Sequence, residues 1–290
     1  MPLYLYRPNP LGCIDLTVSY YIPLAHIYNP PSRGMACHAP TGFRGTLRVP
    51  LSFVPCLMQC YNRRADQNKY MMHQDCKLKY ILFDLDDTLY PRSSGLMDTV
   101  GNRIRQFIMD TLALDAEQAA ALQKRYYQLY GTTLRGLQTE YGIDPEAYLA
   151  YVHDIPLDEY LHPDPDLDRL LSGITLMKVV VTNGSAEHAR RVLAHLGIAH
   201  HFETILDIRS FNYYCKPDPR AYQRILELLH AKPQECILVD DSPRNLIPAK
   251  RLGMTTVLMD GEAQEGVDYA VASLADLRQV LMPLGCFQLP

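Results

Sequence analysis

From Tyr80 onward, short apolar runs alternate with longer amphipathic stretches. YILFDL, Tyr80–Leu85, predicts a buried strand. LMKVVVTNG, Leu176–Gly184, predicts a second, and SAEHARRVLAHLG behind it an amphipathic helix closed by Gly197. ETILD predicts a short strand and PDPRAYQRILELLH a helix opened by prolines. ECILVDD predicts a strand, PRNLIPAKRLG a helix ending at Gly253, and TTVLM a further strand. Strands alternating with helices of about a dozen residues imply a parallel sheet with helices on both faces, a doubly wound α/β fold. Between the first two strands, from about Gly95 to Asp154, the pattern is helical throughout and far longer than an ordinary crossover. It predicts a helical cap inserted after the first strand.

Before residue 70 neither a 3.6 nor a 2 period is sustained. Nine of the 21 prolines fall there and break up any element that starts to form. Seven basic residues meet only two acids, Asp15 and Asp66, so this segment carries +5 and the remaining 220 residues carry −9. The scarcity of acids suits a transit peptide, but the segment is poor in Ser and rich in Tyr and Pro. As a secretory leader, its best apolar run starts at Val49 and holds two prolines. Met71 and Met72, just before the first strand, favour a third explanation, a start assigned too far upstream.

A net charge of −4 and a pI near 6.2 give no electrostatic footprint for nucleic acid or an anionic membrane. No run of 18 apolar residues predicts a membrane span. Five of the eight cysteines precede Lys77, and none forms a CxxC or a Cys/His zinc spacing. Cys215, Cys236 and Cys286 read as reduced thiols, which places the protein in the cytoplasm. Monomer and homodimer are both open. His188 and His195, seven apart on a predicted helix, predict a solvated or half-buried face.

The chemistry concentrates where strands end. The first ends in Asp84-Leu85-Asp86-Asp87-Thr88, the second in Thr182-Asn183-Gly184, and ECILVDD in Asp240-Asp241-Ser242. Ligands of parallel sheets bind beyond these carboxyl ends. Asp84 and Asp86, two apart in extended backbone, point to one crevice. Carboxylates rarely enter a core unpaired, and four converging there repel one another. A hard divalent cation resolves this, and the oxygen donors suit Mg²⁺. Lys216-Pro217 precedes a helix, and a lysine and a hydroxyl beside such a group suggest a phosphate guest.

DLDDT, TNG, KPDP and DDSPRN, in this order at the ends of alternating strands, resemble the four motifs of the haloacid dehalogenase superfamily. The likeness spans about Lys77 to Met282, with an insertion similar to a C1-type cap. FDLDDTLY, YGTTLRGL, YVHDIPLD and VDDSPRN further resemble the pyrimidine 5′-nucleotidase branch. The missing period predicts a poorly structured extension over 1–76, and the resemblance implies a Rossmann-like phosphatase core over 77–91 and 165–290 with a helical cap over 92–164. It implies Asp84 as nucleophile and Asp86 as general acid and base. Mg²⁺ would be held by Asp84, the backbone carbonyl of Asp86 and Asp241, with Asp240 an alternate or outer ligand. Lys216 would offset charge, Thr182, Asn183 and Gly184 would receive phosphate, and Asn245 would steady Lys216 or a metal-bound water. Tyr213-Tyr214-Cys215 depart from the smaller residues expected before the lysine.

The implied activity is Mg²⁺-dependent hydrolysis of nucleoside 5′-monophosphates, UMP and CMP first, through an aspartyl-phosphate. The alternatives are a phosphatase for another small phosphometabolite, such as phosphoglycolate or a sugar phosphate, and an inactive binding module of the same fold. Dehalogenation needs no acid two residues after the nucleophile, so Asp86 argues against it; a mutase is less firmly excluded. Specificity falls to the cap, where Tyr130, Thr133 and Arg135 are the candidate contacts, and Gly131 and Gly136 permit close approach. Tyr126, Tyr127 and Tyr130 at near-helical spacing also suit plain cap core, and Arg135 a surface ion pair. Asp87 reads as a solvated turn residue, and Thr88 as a supporting hydroxyl.

Overall fold

The computed structural model describes residues 77–288 and two strands before them, β1 (Cys13–Val18) and β2 (Gly45–Pro50). β1 and β2 pair antiparallel, from Cys13 with Pro50 to Val18 with Gly45. Each is a short alternation, Ile14-Asp15-Leu16-Thr17-Val18 and Thr46-Leu47-Arg48-Val49, that proline breaks outside it had obscured. The other residues of the expected 1–76 extension, with Met71 and Met72, lie outside the described residues. Met1–Gln74 and Asp75–Pro290 are separate units.

In the second unit six strands form one parallel sheet: β3 (Tyr80–Phe83), β4 (Met177–Val181), β5 (Thr204–Leu206), β6 (Cys236–Asp240), β7 (Thr255–Met259) and β8 (Tyr269–Val271). Their order is β5-β4-β3-β6-β7-β8. β3, in register with both β4 and β6, is the strand at which the winding reverses. That reversal opens a crevice past its carboxyl end.

The insertion after β3 holds four α-helices: α1 (Leu96–Leu112), α2 (Ala116–Tyr130), α3 (Thr133–Tyr141) and α4 (Pro145–Val152). Their starts follow from local chemistry. Asp115 and Gln118 form a capping box on α2, Thr132 caps α3, and Asp144 with Pro145 opens α4. The remaining helices are α5 (Pro165–Gly173), α6 (Ala186–His195), α7 (Pro219–Leu229), α8 (Pro243–Leu252) and α9 (Leu277–Leu281).

Strand alternation distributes the core. Ile81 and Phe83 pack with Leu171 of α5, Val192 of α6 and Leu277 of α9. Leu82 packs on the opposite face with Ile225 of α7 and Leu246 of α8. The insertion has its own cluster, Phe107, Tyr126, Leu137 and Leu149, which also takes in Ile208 and Cys215 from beyond the insertion. Among the described residues no helix is long and apolar enough to cross a membrane.

Candidate active site

Asp84 follows β3 directly and keeps the ladder going, its N–H donating to the Val239 carbonyl at 2.9 Å. The side chain therefore emerges at the crevice floor. Lys216 is 1% exposed, and its Nζ donates to Asp84 Oδ1 and to Asp240 Oδ2, each at 2.8 Å. Burial alone would lower this lysine, but Asp240 and Asp84 reverse that and raise it, so it stays charged. Burial pushes the Asp84 carboxyl upward against the pull of Lys216, with Asp240 adding repulsion. Asp240 is fully buried and also accepts from the Ser242 N–H and the Asn245 amide. Asn245 thus steadies Lys216 through Asp240.

Thr88 links the two carboxylate loops. Its hydroxyl faces Asp84 Oδ2 at 3.4 Å and accepts from the Asp241 N–H at 3.1 Å. Asp87, expected as a solvated turn residue, is half-buried instead. Its φ is +57°, a conformation aspartate tolerates; Oδ2 pairs with Arg92 while Oδ1 is buried without a partner. Arg92 also reaches Asp241 at 3.0 Å. Burial, reinforced by Asp240 and Asp87, pushes the Asp241 carboxyl up to about 6.

These groups fit a hard divalent cation. Carboxylate oxygens of Asp84, Asp240 and Asp241 lie within 4.8 Å of one another. Three carboxylates, met by the buried Lys216 ammonium and the exposed Arg92 guanidinium, leave an excess of negative charge that burial penalises, and a divalent ion would offset it. Among the described residues the Asp86 backbone carbonyl accepts no hydrogen bond, which leaves it for the same ion. A second cluster, Asp168 with His200 and His201, sits apart on the surface, where hydrogen bonds of 3.0 and 2.8 Å to one Asp168 oxygen account for it.

Asp86 shares the cavity with Asp84. Its Oδ1 accepts from the Tyr90 hydroxyl at 2.6 Å and lies 3.0 Å from His188 Nε2. Burial works to raise Asp86, but His188 and Tyr90 prevail and hold it below the usual carboxylate range. The sequence had placed His188 on a solvated or half-buried face; it is 1% exposed, because Asp86 supplies the partner a buried imidazole needs. His153, the residue that ends α4, stacks on it with ring centroids 4.2 Å apart and planes 10° apart. Burial, with His188 beside it, lowers His153 to about 3, so the ring is neutral.

The loop after β4 is wired to the lysine. The Asn183 side chain accepts from the Lys216 N–H at 2.8 Å and donates to its carbonyl at 3.0 Å. Its amide is thereby occupied, while its backbone N–H has no partner among the described residues. Thr182 Oγ1 accepts from the Gly184 N–H at 2.9 Å.

Above lies a cavity of 840 Å³, lined by Asp84, Asp86, Asp241, Thr182, Asn183 and Gly184 on the core side. On the insertion side its wall includes apolar Met97, Ile104, Leu149 and Val152. Thr133 and Tyr148, 6% and 4% exposed, line it with hydroxyls that have no partner among the described residues. Tyr130 and Arg135 are not in the lining. The Tyr130 hydroxyl donates to Glu140 at 2.9 Å, and the Arg135 guanidinium lies over the Tyr214 ring at 5.1 Å. Sequence reasoning did not single out Tyr148, His153 or Tyr90 for a role.

Residues 78–253 match the family model of the haloacid dehalogenase-like hydrolases. The chain belongs to this family. Among its relatives, Phosphate metabolism protein 8 of Saccharomyces cerevisiae is 30% identical over 195 residues, 62% of this chain and 61% of the yeast protein, so the likeness covers less than two thirds of that relative. Glyceraldehyde 3-phosphate phosphatase of Methanopyrus kandleri is 32% identical over 196 residues, 62% of this chain and 83% of the relative. Phosphoglycolate phosphatase of Vibrio vulnificus is 28% identical over 231 residues, 71% of this chain and 97% of the relative.

Proposed function

We propose that this hydrolase is a Mg²⁺-dependent phosphomonoesterase acting on nucleoside 5′-monophosphates, with UMP and CMP ahead of AMP and GMP. The observation that carries it is Lys216, held charged between Asp84 and Asp240 at the floor of the cavity. A phosphate group placed there meets Lys216, the Thr182 hydroxyl and the Asn183 N–H. Mg²⁺, held by Asp84, the Asp86 carbonyl and Asp241, with Asp240 behind, would neutralise phosphoryl oxygens so that one anion approaches another.

An Asp84 oxygen attacks phosphorus in line; the ester P–O bond breaks with its electron pair on the leaving oxygen. Asp86 gives that oxygen its proton, leaving an aspartyl-phosphate and the free alcohol. Water then attacks the same phosphorus, returns a proton to Asp86, and releases phosphate and the Asp84 carboxylate. Asp86 must be protonated when the ester leaves. Its lowered pKa is the resting condition, and a phosphate anion beside it raises that pKa by repulsion.

The insertion, residues 92–164, acts as the cap that closes the cavity and excludes water. A two- or three-carbon ester, as the names of several relatives suggest, would leave Met97, Ile104, Leu149 and Val152 facing water. A nucleoside covers them, and Thr133 and Tyr148 supply hydroxyls for a polar base edge. A one-ring base suits a pocket that rejects purines through unpaired groups. The test is kcat/KM for UMP, CMP, AMP, GMP, phosphoglycolate and glyceraldehyde 3-phosphate with Mg²⁺. Preference for either small ester or for purines sinks the pyrimidine assignment; release from none of them sinks the phosphatase.

A further inference from the structure

Asp86 has one oxygen held and one free. Oδ1 meets two neighbours, the Tyr90 hydroxyl at 2.6 Å and His188 Nε2 at 3.0 Å. Those two positions use both lone pairs of that oxygen. Oδ2 has no partner among the described residues and remains open to the cavity. An aspartate carboxyl otherwise turns easily about its last torsion, which is broad and two-fold. A proton on such a group would be shared between two oxygens, only one of which faces the ester.

The imidazole is itself fixed. His188 is the third residue of α6, and its N–H is capped by Ser185 Oγ at 3.3 Å. Its Nδ1 is buried without a partner. A buried N–H with no acceptor forfeits its hydrogen bond to water, so the proton belongs on Nε2, which donates to Asp86. His153 stacks on the ring, and His153 Nδ1 lies 3.2 Å from Ser185 Oγ. The end of α4 therefore packs on the group that holds Asp86.

We propose that His188 is a positioning residue for Asp86: with Tyr90 it ties up Oδ1, so that the proton Asp86 gives and takes is carried on Oδ2. This rests on the phosphoryl-transfer function proposed above. His153 keeps the imidazole from tilting, which makes a closed insertion part of the holder.

Leaving-group dependence tests it. An alkyl phosphate such as UMP needs its departing oxygen protonated; p-nitrophenyl phosphate does not, because its phenolate leaves unaided. His188→Leu, made in the full chain and assayed with Mg²⁺, should lower kcat/KM for UMP about 10–100-fold, within the range of general acid catalysis, and for p-nitrophenyl phosphate by less than about threefold. His188→Gln, whose amide N–H can reach Oδ1, should recover most of the loss. Tyr90→Phe should show a smaller loss with the same selectivity, and it carries the test if His188→Leu does not fold. Asp86→Asn is the reference for the split. Equal losses on both esters, or none on either, overturn the proposal as it stands. If Asp86→Asn shows the split and the His188 and Tyr90 variants do not, only the positioning role fails. If the wild type hydrolyses neither ester, the phosphatase assignment fails and this role with it.

Discussion

Asp86 is pulled two ways, upward by burial and downward by His188 and Tyr90. Asp86→Asn keeps the shape and removes the proton, so kcat for UMP should fall about 10²–10⁴-fold while the melting temperature changes little. Steady-state phosphate release beside a thermal melt checks both. His153 gives a stability signature. Its imidazolium is lowered from 6.5 to about 3, first by burial and then by His188; Arg191 and Arg209 also disfavour its charge, and Asp86 opposes them. Between these values the unfolded chain binds a proton that the folded chain refuses. The contribution is complete above about pH 6.5 and is lost as pH falls toward 3, by up to about 1.4 kcal/mol per unit. The urea midpoint of wild type should therefore fall relative to that of His153→Gln as pH drops from about 6.5 toward 3; parallel curves would show that His153 protonates in place. Asp84, Asp86 and Asp241 were legible because they sit at strand ends in short motifs. His188 was not: its partner lies 102 positions away, and only the return of α6 against the β3 loop joins them.

Helix phase decided which residues of the insertion face the cavity. Thr133 opens α3 and lines the wall, whereas Arg135, two positions on, is about 200° around the helix and meets Tyr214. The right segment was legible in the sequence, but its rotation was not, because that is set by how α2 packs on α3. Gly136 is the key to that packing, because a Cβ there would overlap the Tyr126 ring. Gly131, at φ +91°, similarly meets Cys215 and the Lys216 carbonyl. Gly136→Ala should destabilise the protein by about 1–3 kcal/mol, the usual cost of overpacking, read as a lower urea midpoint with an unchanged slope. Unchanged stability would show that α3 can shift away without loss.

On the scale of the whole molecule, the parallel sheet and the long helical insertion were legible in the order of apolar runs. β8 was not, since three residues at a sheet edge show no period. The β1–β2 pair was hidden among prolines. All the site residues lie in the unit that begins at Asp75. A chain starting at Met72 should therefore fold and turn over like the full chain, with equal kcat/KM and melting temperature; loss of either would make the N-terminal segment integral. The proposed chemistry has Asp84 transferring phosphate at a carboxylate site that holds a divalent ion. The most direct measurement is phosphate released from UMP by wild type and by Asp84→Asn, with Mg²⁺ and with excess chelator, each protein shown folded by circular dichroism. Release is expected only from wild type with Mg²⁺. Substantial release from Asp84→Asn, or full release in excess chelator, would contradict it.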